Sequence, residues 1–107
     1  MPIKKATPWY VLNSPELGGA FEEFATQCNE NGVLDKATKE LLMIALASVF
    51  RCPHCTETHI KRALEIGVSK EEITETLLIA ALEGAGTQLA WAKDIYKEHL
   101  TGKTKQV

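Results

Sequence analysis

The chain has 107 residues, 45% of them apolar and 24% charged, with a net charge of −2 at pH 7. That composition fits one soluble globular domain spanning 1–107 and excludes chain-wide disorder. The charge offers nothing to a nucleic-acid backbone. The longest apolar run, Leu41 to Phe50, is too short to span a bilayer. The cysteine count, three, is odd, and residues 1–25 hold no continuous signal-peptide core. A disulfide framework is therefore not expected, and a cytoplasmic location is. A domain of this size buries only about 60–70% of its unfolded surface, which leaves room for a partner subunit.

Residues 1–13 read as irregular, punctuated by Pro2, Pro8 and Asn13, with Trp9 to Leu12 as packing residues. Ser14-Pro15 opens a helix as N-cap and N1. Leu17, Phe21, Phe24 and Cys28 form one amphipathic stripe, so Cys28 reads as a small buried hydrophobe. Asn31-Gly32 ends that helix. Asp35 caps the next, which runs to about Phe50 and is apolar all round in its second half. Such a helix must be covered all round. So small a chain can hardly do that alone, which argues for a homo-oligomer with this helix near the centre.

Pro53 suits position N1, which makes Cys52 the N-cap and Cys55 the N3 residue of a third helix ending at Gly67. Ser69 and Glu72 form a capping box, with Val68 and Ile73 as its hydrophobic staple. Leu77, Ala80 and Ala81 give this fourth helix its apolar face. Gly84-Ala85-Gly86 is expected to break the chain, and Thr87 to cap a last helix packed through Leu89, Ala92, Ile95 and Tyr96, with Trp91 beside them. Residues 101–107 form a polar tail. With no strand-period segment longer than four residues, the expected fold is an all-α bundle of five to six helices joined by short loops.

Chemistry concentrates between Cys52 and His59. Two cysteines three apart near a helix start share a face, roughly 5–6 Å between Cβ atoms, and a small adjustment bridges them. A Cys52 sulfur at the N-cap can accept from the Cys55 N–H, and the helix dipole favours negative charge there. The tetrapeptide CPHC is also that of oxidising thioredoxin-like enzymes, but the helical surroundings do not resemble a thioredoxin βαβ frame. His59 follows Cys55 by four residues and can take its proton. Cys55 is then the base-activated sulfur and Cys52 the resolving one, at the helix mouth. Glu40 is the candidate to orient His59. An unbroken helix puts it about 16 Å from the turn, against about 9 Å for His59 on the returning helix. Spacing leaves open whether the two meet within one chain, whether Glu40 faces a neighbouring subunit, or whether it is simply a polar first-turn residue.

Other readings stand beside this one. Zinc would use Cys52, Cys55 and His59 and needs a fourth ligand, for which no second pair exists. Covalent haem in its usual form is excluded because Thr56, not a histidine, follows Cys55. His54 either tunes the cysteines or is a solvated surface residue. His99 reads as a helix-end histidine.

Taken together, Glu40, Cys52, His54, Cys55 and His59 resemble the signature of the AhpD-like branch of the carboxymuconolactone decarboxylase superfamily. Ala63, Gly67, Glu72-Ile73, Glu75, Ala80-Ala81 and Gly84 continue the likeness, which covers about Val33 to Tyr96. The resemblance implies an AhpD-like helical fold and a homo-oligomer, commonly a trimer or hexamer. It implies thiol-dependent peroxide reduction without a cofactor. Cys55 would attack a hydroperoxide and Cys52 would condense with the sulfenic acid formed. A dithiol reductant, such as a lipoyl carrier or a thioredoxin-like protein, would reopen the disulfide. Glu40 and His59 carry over as the proton relay and His54 as a companion. The decarboxylase branch lacks the cysteine pair. The chain is shorter than AhpD, whose length resembles a duplicated unit.

Three functions follow for comparison: a peroxidase or dithiol–disulfide oxidoreductase; a non-redox lyase using Glu40 and His59 on a lactone; and a zinc-stapled interaction module.

Overall fold

The computed structural model describes residues 6–101, and among these all the regular secondary structure is helical. Five α-helices follow in order: α1 (Trp9–Asn13), α2 (Pro15–Glu30), α3 (Lys36–Val49), α4 (Pro53–Glu65) and α5 (Lys70–Tyr96). A π-helical turn, Lys97–Thr101, extends α5. None of the described helices is long and apolar enough to cross a membrane. The chain divides between Lys39 and Glu40 into two compact units.

In the first unit, residues expected to be irregular instead form α1 from Trp9 onward; Pro2 lies outside the described residues. The helix starts because Pro8 supplies the first carbonyl, which accepts from the N–H groups of Val11 and Leu12. It packs on α2 at Gly18, where a Cβ would stand 2.5 Å from the Tyr10 carbonyl oxygen. The Tyr10 hydroxyl donates to Glu22, and its ring meets Phe21 edge-on. Ser14 makes no side-chain cap. Its carbonyl accepts from Gly18 N–H at 2.7 Å instead.

The expected burial of the α2 stripe is not found. Leu17 is 77% exposed, Phe24 63%, and Cys28 is exposed as well. The reason is length: α1 is a turn and a half long and cannot cover a four-turn helix. Asp35 does cap α3, accepting from Thr38 N–H at 2.8 Å. Those Thr38 bonds hold its carboxyl below the usual carboxylate range.

In the second unit the buried apolar residues are Ile44, Ala47, Ala63, Val68 and Ile73. Ile44 has no exposed surface, whereas Leu42, Leu46 and Val49 on the same helix are exposed. Thus α3 contributes to the core but is not covered all round within one chain.

Two successive helices end in the same way. At the end of α4, Gly67 N–H bonds Leu64 O and Val68 N–H bonds Ala63 O, with Gly67 at φ +93°. At the end of α3, Arg51 N–H bonds Ser48 O and Cys52 N–H bonds Ala47 O, with Arg51 at φ 60°. Both are Schellman endings, which place one residue in the left-handed region and normally use glycine there. Arginine in that conformation costs about 1–2 kcal/mol relative to the right-handed form.

The capping box on α5 is complete: Glu72 N–H donates to Ser69 Oγ, and Ser69 N–H donates to Glu72 Oε1. The expected break at Gly84-Ala85-Gly86 does not occur, and α5 runs through it. A helical glycine costs about 1 kcal/mol but keeps its backbone hydrogen bonds. Thr87, expected as a cap, bonds back to Glu83 O at 2.8 Å. Leu89, Trp91, Ile95 and Tyr96, expected to pack, are all exposed.

Candidate functional site

The turn from α3 to α4 positions the cysteines. Cys52 terminates the first helix through its N–H and caps the second through its sulfur, which accepts from Cys55 N–H at 3.2 Å. Its carbonyl accepts from Thr56 Oγ1 at 2.9 Å. One residue is therefore held by both helices. Cys52 and Cys55 are joined in a disulfide, Cα to Cα 5.3 Å. An N-cap to N3 spacing provides a separation within the range a disulfide spans.

His59 Nδ1 lies 2.7 Å from Glu40 Oε1. Both side chains are largely buried, 17% and 14% exposed. A carboxylate can only accept, so Nδ1–H donates, and in the neutral ring the lone pair is then on Nε2. Glu40 thus meets His59 within one chain. His54 is exposed and makes no hydrogen bond or ion pair among the described residues. His99 is exposed beside Glu98 at 3.3 Å. No group of three or more His, Cys, Asp or Glu side chains among the described residues is arranged to hold a metal ion.

Cys52 also lines an open groove of about 640 Å³. Ala47, Pro53 and Ile60 give it apolar walls, and Arg51, Glu57 and Lys61 are among its polar lining residues. Lys61 is paired with Glu57 at 2.9 Å. Arg51 has no ion-pair partner among the described residues and also borders a second groove of about 690 Å³, formed by the end of α3 and the small residues of α5. Sequence reasoning passed over Arg51. The signal was available: a non-glycine residue where one helix must end and the next must start at once.

A helical unit with a cysteine pair at a helix start and a half-buried carboxylate–imidazole pair between the same two helices defines the class. The chain belongs to the carboxymuconolactone decarboxylase family, whose model matches residues 15–105, and within it to the AhpD-like branch. A protein of Paracoccus denitrificans named uncharacterized protein 4 in cox locus is 44% identical over 62 residues, 58% of this chain and 56% of its own length. The alkyl hydroperoxide reductase AhpD of Nocardia farcinica is 39% identical over 70 residues, 62% of this chain and 39% of its own. The chain thus spans about two fifths to just over half of these curated relatives. A crystal structure of a Methanobacterium thermoautotrophicum protein superposes with a TM-score of 0.75 at 31% identity, over 81% of this chain and 98% of that one.

Proposed function

We propose that the protein is a thiol-dependent hydroperoxide reductase working through Cys55, Cys52, His59 and Glu40. The observation that carries this reading is the pairing of a formed Cys52–Cys55 disulfide with the 2.7 Å Glu40–His59 contact. The disulfide is one end state of the cycle, and the contact is what a proton relay needs.

In the reduced protein, His59 Nε2 takes the Cys55 thiol proton while Glu40 holds the ring and balances its charge. The Cys55 thiolate attacks the terminal peroxide oxygen. The O–O bond breaks, an alkoxide leaves and collects the proton from His59, and Cys55 becomes a sulfenic acid. Cys52 attacks that sulfur, water leaves, and the disulfide forms. A dithiol then returns two electrons and two protons. His54, exposed between the cysteines, acts as a companion to the two sulfurs.

The exposed stripe of Leu17, Phe21 and Phe24 supports assembly into a homo-oligomer, a trimer or hexamer, since such residues gain about 25 cal/mol per Å² when covered. A reducing cytoplasm supplies the dithiol, a lipoyl carrier or thioredoxin-like protein. Hydroperoxide-dependent oxidation of a dithiol by the purified protein tests this reading. Equal turnover in a Cys52→Ser/Cys55→Ser double variant would overturn it.

A further inference from the structure

We infer that Arg51 is a specificity residue that draws carboxylate-bearing dithiols into the groove beside Cys52; this rests on the redox reading above. Three observations converge. The first is an internal comparison. The chain ends α3 and α4 with the same hydrogen-bond pattern, Cys52 to Ala47 and Val68 to Ala63. It uses glycine at the left-handed position of one, Gly67, and arginine at that of the other. Glycine suits both positions on backbone grounds, so the arginine side chain serves something other than the turn.

The second observation is place. Arg51 precedes Cys52 and lines the same groove, whereas Cys55 does not line it. The third is charge. The groove's other cation, Lys61, pairs at 2.9 Å with Glu57, a carboxylate of the same lining, while the Arg51 guanidinium has no counter-ion among the described residues. A largely apolar trough with one unpaired arginine in its lining fits a short aliphatic molecule with a carboxylate, which the planar fork can bind by two parallel hydrogen bonds.

The step served is reduction of the disulfide. A thiolate of the bound dithiol attacks Cys52 Sγ, the Cys52–Cys55 bond breaks, and Cys55 leaves as a thiolate that takes up a proton. The second thiol of the reductant then attacks its own mixed disulfide and releases Cys52. The reductant becomes a cyclic disulfide, and the protein gains two electrons and two protons.

Dihydrolipoate and dihydrolipoamide are a matched pair of probes: the same dithiol on the same aliphatic chain, ending in a carboxylate or a neutral amide. Reduction of the oxidised full-length chain by each is followed by the appearance of Cys52 and Cys55 thiols. The wild type should react about five- to tenfold faster with dihydrolipoate at low salt, and the preference should shrink as ionic strength rises. Arg51→Gly, which the backbone accepts, should bring the ratio to about one. Arg51→Lys should retain part of it. Equal wild-type rates with the two probes, or a preference that survives in Arg51→Gly, would overturn the inference and leave the redox reading standing. Failure of both probes to open the disulfide would overturn the redox reading, and the inference with it.

Discussion

His59 Nδ1 and Glu40 Oε1 meet at 2.7 Å although they lie nineteen positions apart in the chain. The contact ties α3 to α4 at a depth where both side chains are mostly shielded from water. It also sets the imidazole tautomer, because a carboxylate accepts and cannot donate. Glu40→Gln places an amide there that can donate to Nδ1, so the proton moves to Nε2 and the base is lost. Peroxide turnover should fall about 10²-fold, with helix content by circular dichroism unchanged. A variant with near-normal kcat would show that the carboxylate only fills space.

The two sulfurs have different neighbours and should fail differently. Cys55 precedes His59 by one helical turn, and Cys52 lines the groove. After one equivalent of hydroperoxide, Cys52→Ser should hold a sulfenic acid on Cys55 that a dimedone-type probe traps. Cys55→Ser should give no adduct, and neither should turn over. The same pair of variants separates redox chemistry from lactone chemistry, which would survive both.

Asp35 makes the start of α3 sensitive to acid. Thr38 donates to its carboxylate at 2.8 Å and holds its pKa below the ordinary carboxylate value. A group whose folded pKa is depressed stabilises the fold above its unfolded pKa, about 3.9, and that contribution fades as pH falls through the lowered folded value. Asp35→Ala should therefore melt below the wild type at pH 6, and the gap should close towards pH 2. A gap independent of pH would mean that the charge plays no part in the cap.

The two Schellman endings respond oppositely to substitution. Gly67 sits at φ +93°, where any side chain is strained, so Gly67→Ala should lower unfolding free energy by about 1 kcal/mol. Arg51→Gly removes the same kind of strain and should leave the denaturant midpoint equal or higher. A large loss in Arg51→Gly would show that the arginine serves the fold.

Features written in a few neighbouring residues were legible from sequence. Ser69 with Glu72, Asp35 before α3, and Cys52 ahead of Pro53 each satisfy helix-end N–H groups within three residues, and each cap is where the pattern put it. Features that depend on how elements meet were not. Spacing along α3 and α4 could not say whether Glu40 reaches His59, because that distance is decided by how the two helices cross after the turn at Arg51. Cys28 was misplaced for a related reason: periodicity tells which face of α2 is apolar, not whether anything covers it. The glycines of α5 misled because a propensity of about 1 kcal/mol is small beside the cooperative hydrogen bonding of a long helix.

The most direct test is a single turnover of the reduced protein. One equivalent of organic hydroperoxide is added, and the chain is analysed by thiol count and intact mass. The account predicts stoichiometric alcohol, loss of two thiols per chain, a mass lower by two hydrogens, and a disulfide mapping to Cys52 and Cys55. Peroxide left unconsumed with both thiols free, or oxidation mapping to Cys28 alone, would contradict it.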